Sequence, residues 1–359
     1  MHARSSRGPL LAVLLAAGCG GLTSLDDEPT GALRQPCYPN GTCNAGLSCI
    51  SNVCVEFDGG PEGGAEPDAS DAPSEEASPS GVAIAQAAST YAQAWCAKTA
   101  SCLGATVGYP DMATCLSRVA LHMVDVMQAP GTSATPAGVT GCADAIPVSD
   151  CGAFYDDAIP ACAPAPGSLP EGAACAYPEQ CSTGTCAIAP QQTCGICAAP
   201  TQADGGCATT SQCQRPLTCE APGTCGSLGS TGDTCANISS CTYPDGCTSG
   251  TCQPAPVGTT CDATLQNCAF EEYCSSTTNT CQKDEWVGPD APCGWLAGDN
   301  SVWTECTVGL CPVSGGIPTS LCASVSADGE PCGNQSVCIR PAVCSPAGTC
   351  VLPSAATCK

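Results

Sequence analysis

Histidine, basic side chains and aromatic rings are all scarce in this chain: 2 His, 9 Lys plus Arg, 3 Phe, 4 Trp and 7 Tyr in 359 residues. Each shortage excludes something. His2 falls in the amino-terminal leader-like stretch, so a Ser-His-Asp or Cys-His enzyme would have to be built on His122. That residue sits beside Met123 in a helical-period stretch and reads as structural. No zincin, Walker A, nucleophile-elbow or dinucleotide motif appears. No catalytic, metal-binding or cofactor-binding residue is therefore assigned, and no cofactor is expected. Nucleic-acid binding needs a basic patch that displaces counterions, and a chain with a formal charge of −24 offers none. With so few aromatics, a conventional large core is excluded. No apolar run approaches the roughly twenty residues that a spanning helix requires.

Cysteine is abundant instead, at 37 residues. With Cys19 set aside, the remainder falls into clusters of four (Cys37 to Cys54), six (Cys96 to Cys162) and twenty-six (Cys175 to Cys358). Even counts are expected where each segment closes its own disulfides. Such bridges persist outside a reducing cytosol. The fold class expected is a set of small disulfide-rich modules, with little regular structure beyond short β-hairpins, joined to a small disulfide-stapled α-helical bundle.

The leader accounts for the odd cysteine. Arg4 and Arg7 precede an apolar stretch from Leu10 to Ala17, a length that suits a signal-peptide core rather than a membrane span. It ends in Leu15-Ala16-Ala17-Gly18-Cys19, which resembles the lipobox of bacterial lipoproteins, with Ala16 where the large apolar residue usually stands. The resemblance implies removal of 1–18, lipidation of Cys19 and membrane attachment through lipid. Gly20, rather than an Asp, favours the outer membrane, periplasmic or surface-exposed. The mature chain would carry 33 acidic against 7 basic residues, which keeps a surface of low charge density soluble.

Residues 19–36 read as a tether, and 37–54 as a compact four-cysteine module. The stretch 55–81 is rich in Gly, Pro, Ser and acids and has no Lys, Arg or Cys, so it reads as a disordered acidic linker. In 82–163 the period changes. Ile84, Ala88, Tyr91 and Trp95 recur at helical spacing. Asp111 can cap a second helix carrying Met112, Cys115, Leu116, Val119, Met123 and Val126, and Pro130 ends it. Thr135-Pro136 starts a third helix, stopped by Pro147, and a last turn surrounds Cys151. Cys102 and Cys115 flank an inter-helix turn and are expected to pair, although six cysteines allow fifteen connectivities.

From 172 to 359 the chain repeats. Cys207, Cys213, Cys219 and Cys225 are spaced by six, as are Cys332, Cys338, Cys344 and Cys350. Gly-x-x-Cys opens several repeats and Gly-Thr-Cys recurs near their ends, as tight turns presenting half-cystines would require. Spacing leaves three pairings open per unit; joining first to third and second to fourth cysteine would interlock the loops of a unit that has no core. Cys194-Gly-Ile-Cys197 reads as two half-cystines of different bridges, and parity permits a long-range bridge to Cys358. Trp286, Trp295 and Trp303 are expected to pack over disulfides, with a sugar- or protein-binding platform as the other reading.

The pattern in 37–54 and about 82–358 resembles the Dickkopf-type amino-terminal cysteine-rich repeats of lipoproteins from gliding, predatory soil bacteria. The resemblance implies an envelope location and no assigned activity. The function expected is a non-catalytic, lipid-anchored surface protein whose modules bind protein or glycan ligands or mediate adhesion. The alternatives are a passive stalk or coat component and, less favoured, an enzyme within 82–163. Its partners would be a membrane, through the lipid, and a protein or glycan ligand, but no nucleic acid.

Overall fold

Three of the four described helices begin where the chain supplies a capping oxygen. In the computed structural model, α1 spans Gly81–Leu103, α2 Met112–Gln128, α3 Pro136–Ala145 and α4 Cys151–Tyr155. Asp111 accepts the Thr114 amide at 2.7 Å, Thr135 that of Gly138 at 3.2 Å and Asp150 that of Ala153 at 2.6 Å. Each fills one of the unpaired donors of a first turn. The structure describes residues 47–50, 53–56 and 81–358, less 209, 215–216, 221–222, 236–240, 244, 249, 255–256, 262–267, 269–271, 296–302, 310, 312–320 and 334–335. The leader 1–18, Cys19, the tether and residues 57–80 of the linker lie outside them. Among the described residues no helix is long and apolar enough to cross a membrane.

α1 packs on α2 and α3 through small residues. Ala87, Ala88 and Ala92 meet Ala120, Val119 and Val124 in one buried cluster, with Tyr91 and Trp95 at its margin. Alanine stripes let helix axes approach closely, and a bridge between Cys96 and Cys115 fixes the contact. The expected Cys102–Cys115 pair is not formed. Cys102 bridges to Cys151 on α4, and Cys142 to Cys162. The reason is helical phase. Cys96 and Cys102 are six residues apart on α1, or about 240° around its axis at 3.6 residues per turn. Cys96 therefore faces α2 while Cys102 faces α4.

Beyond the helices, the described residues form six modules that share one bridge pattern. In 207–225, 235–252, 261–281, 293–322 and 332–350, and in 175–197 once Cys194 is set aside, one cysteine pairs two cysteines ahead and the next pairs in step, interlocking two loops. Cys207 joins Cys219 and Cys213 joins Cys225; Cys332 joins Cys344 and Cys338 joins Cys350. In most modules a short antiparallel hairpin carries the last two cysteines directly opposite each other, as with Cys219 and Cys225, Cys247 and Cys252, and Cys274 and Cys281. The hairpin Leu47–Ile50 with Val53–Glu56 repeats this register at Cys49 and Cys54. Each bridge typically contributes about 2–4 kcal/mol, which stands in for a core in units this small.

The Gly-x-x-Cys motif has a specific physical role. Three residues before the first cysteine of each module, the backbone turns left-handed and its N–H donates to the carbonyl of the last cysteine. Gly172 bonds Cys197, Gly232 bonds Cys252, Gly258 bonds Cys281 and Gly329 bonds Cys350, at 2.7–2.8 Å. Glycine adopts that conformation without steric cost. Asp204 and Asp290 occupy the same position with φ of 63° and 59° and bond Cys225 and Cys322, as Asp tolerates it better than most residues.

The array does not extend away from the helices. Val126 of α2 and Ala129 just after it are buried with Ala176 and Tyr177 of the first module and pack against Ala355 and Cys358. Leu121 of α2 is buried with Ala342, Cys350 and Leu352 of the last. Tyr155 meets Tyr243 of the third module at 5.2 Å between ring centroids, and the Gly108 amide donates to the Thr307 carbonyl of the fifth at 2.6 Å. A disulfide from Cys194 to Cys358, 164 residues apart, closes the circuit. The modules thus curl around a helical hub, and α2 is buried on two sides.

Candidate functional site

Two places combine exposure with uncommon side chains. The first is the sheet of the fifth module, where Glu285–Val287 runs parallel to Trp303–Cys306 and Gly294–Trp295 runs antiparallel to it. Residues in register share a face, and faces alternate along a strand. Val287, Thr304 and Cys306 therefore face the disulfide cluster of Cys293, Cys306 and Cys322, and Thr304 is fully buried. Trp286, in register with Glu305, and Trp303 lie on the opposite face, each half-buried. Trp295 occupies the register position facing Trp303. The expectation that these tryptophans pack over their module's disulfides is thus reversed for Trp286 and Trp303. The indole Nε1 of Trp303 donates to Glu305 Oε1 at 2.6 Å, which holds indole and carboxylate side by side.

Carboxylates crowd this edge. Burial pushes the Asp284 carboxyl up to about 7, with Glu305 and Glu272 adding repulsion. Tyr273 is raised in the same way, by burial and then by Glu285. A proton on Asp284 relieves the repulsion, so the group is half-protonated near neutrality.

The second place is a cleft of about 710 Å³ between α1, α2 and the last module. Tyr91, Trp95 and Tyr109 form its aromatic wall, with Trp95 and Tyr109 edge-to-face at 6.0 Å. Opposite lie Arg340, Pro341 and Val343. Arg118 fixes this module by donating to both Asp328 carboxylate oxygens, at 2.6 and 2.7 Å, and to the carbonyls of Ile339 and Arg340. Burial raises the Tyr109 phenol, against the pull of Arg340 and Arg118. A smaller cleft of about 380 Å³ on the α3 side shares Tyr91 and His122 with the first.

His122 lies between the two clefts with its ring against the edge of Tyr177, 5.6 Å between centroids. Burial lowers its pKa to about 4, so the imidazole is neutral at ordinary pH. Its Nδ1 is buried and has no hydrogen-bond partner among the described residues. The sulfur triads within modules, such as Cys175, Cys181 and Cys186, are tied up in bridges rather than held as thiolates. Cys194 and Cys197 belong to different bridges, to Cys358 and Cys181.

Sequence reasoning singled out Trp286 and Trp303 but not Trp95, Tyr109 or Arg340 as cleft residues. Those come from separate segments, and only the return of the last module to α2 brings them together. Comparison with protein-family models, curated proteins and solved structures finds no match for the chain.

Proposed function

We propose that this chain is a non-catalytic, lipid-anchored envelope protein that binds a protein or glycan ligand through its disulfide-rich modules, with the four helices serving as a disulfide-stapled bundle. The observation that carries the reading is the placement of Trp286, Trp303 and Glu305 on the sheet face turned away from the disulfides. Indoles offer flat apolar surface with a polar tip, which suits sugar faces and protein side chains alike, and Glu305 supplies an acceptor. The lipobox-like run ending at Cys19 and the resemblance of the cysteine spacing to Dickkopf-type repeats of bacterial lipoproteins support attachment at the outer membrane. A passive stalk fits less well, because modules folded back on a hub forfeit reach.

The test has two arms. Cys19→Ala is expected to move the protein from the salt-washed membrane fraction to the soluble one. The released protein, passed over immobilised envelope polysaccharide and over envelope proteins, is expected to be retained by one of them. Trp286→Ala/Trp303→Ala is expected to abolish that retention. A Cys19→Ala protein that stays on membranes would overturn the anchor, and retention that ignores both tryptophans would overturn the binding face.

A further inference from the structure

We propose that the 710 Å³ cleft between the helical hub and the last module is a separate binding site for a small apolar anion, a flat ring body bearing one acidic group. Its size is that of a small-molecule pocket. Trp95 and Tyr109, set edge-to-face, offer an aromatic wall to a flat ligand. The acidic group is called for by Arg340. Of the two guanidiniums near Tyr109, that of Arg118 is committed to Asp328, whereas that of Arg340 has no hydrogen bond or ion pair among the described residues.

Arg340 is exposed, so its guanidinium is hydrated and open to an incoming acidic group. The backbone opposite makes room for the arginine. Gly108 has φ of +93°, and a Cβ there would come 3.2 Å from Arg340 Cδ and 3.5 Å from Nε. Cδ, Nε and Nη1 of the arginine thus all lie along the bare backbone of the α1–α2 loop, beside the cleft that Arg340 helps to line. The surrounding negative charge disfavours anions in general, so this local cation decides what charge the cleft accepts. The cleft residues are distinct from the indole face, and the site stands or falls independently of the function proposed above.

A matched pair of fluorescent probes tests it on the full oxidised protein. 1-Anilinonaphthalene-8-sulfonate carries the anionic group, and N-phenyl-1-naphthylamine has the same rings without it. The anion is expected to bind saturably, one per chain. Arg340→Gln is expected to weaken the anion about 10-fold or more, as befits loss of a charged hydrogen bond, and the neutral probe by less. Trp95→Ala should weaken both. Arg340→Lys, which keeps the charge, should retain part of the preference for the anion that Arg340→Gln loses. Should Arg340→Gln melt early, the Lys and Trp95 variants decide the matter. Absence of saturable binding, an unchanged anion affinity in Arg340→Gln, or equal losses for both probes would overturn the proposal.

Discussion

Replacing Cys194 and Cys358 together by serine cuts the one bridge among the described residues that joins the two ends of the module array. The bridge spans 164 residues of sequence, but the bridges within modules act as short cuts, so the freed path is roughly 100 residues. Loop-closure entropy for that length is worth about 4–5 kcal/mol. The value is insensitive to the path chosen, since halving the loop changes it by only about 0.6 kcal/mol. The interior of each module has its own bridges and should not respond. What loosens is docking of the last two modules on the hub, leaving Leu121, Leu352 and the Arg118–Asp328 pair to hold it. Amide hydrogen exchange separates these outcomes. The Gly108 amide bonds across the interface to Thr307, whereas the Cys207 amide bonds within its own module to Gly223. Loss of 4 kcal/mol corresponds to about a thousandfold faster exchange at Gly108, with Cys207 unchanged. An unaltered Gly108, or equal acceleration at both amides, would refute the reasoning.

Three further predictions follow from particular groups. A cycle of Arg118→Met and Asp328→Asn should give a coupling of about 2 kcal/mol in thermal unfolding, because the pair is bidentate and mostly shielded, at 13% and 24% side-chain exposure; additive effects would show that the carbonyl contacts suffice. His122 titrates near 4 when folded against 6.5 ordinarily, so the unfolded chain binds its proton first. Stability should be full above pH 6.5 and fall by about 3 kcal/mol on going down to pH 4, and His122→Gln should remove that dependence in melts across the window. Asp284 has the opposite sign: raised from 3.8 to about 7, it favours the folded state at low pH and loses that advantage as pH rises from 3.8 through 7. Asp284→Asn should therefore raise the melting temperature at pH 8 and change it little at pH 4, and equal shifts at both would count against the charge explanation.

Local signals in the sequence translated well where one residue does one job. Asp111 and Thr135 with Pro136 cap helices, and the Gly-x-x-Cys glycines take the left-handed turn. A search for glycine alone misses Asp204 and Asp290, because the requirement is the backbone conformation and not the residue. Helical phase separates Cys96 from Cys102 and decides their partners over proximity to a turn. The second buried side of α2 is marked in the sequence only by Leu121, an apolar residue outside the stripe drawn through Cys115, Val119, Met123 and Val126. What covers it is not legible there, since Ala342 and Leu352 lie more than 200 residues away. The same distance hides the meeting of Arg118 with Asp328. The array reads in sequence as independent units in a row, and nothing in the cysteine spacing encodes the direction it turns.

The backbone scheme of the modules has a consequence for how the protein can change. Each unit is specified by four cysteines, a left-handed residue three places ahead, and a carbonyl two places before the last cysteine that accepts the first cysteine's amide in the modules at 207, 235, 261 and 332. Everything between is free to differ in length and chemistry. The module at 293–322 keeps its paired bridges and its left-handed Asp290 although its cysteines are separated far more widely than those at 207–225. Its enlarged loop between Cys293 and Cys306 begins and ends in short strands that carry Trp295 and Trp303. Mutations in such loops cost the framework little, so new surface chemistry can be sampled in one unit while its neighbours stay folded.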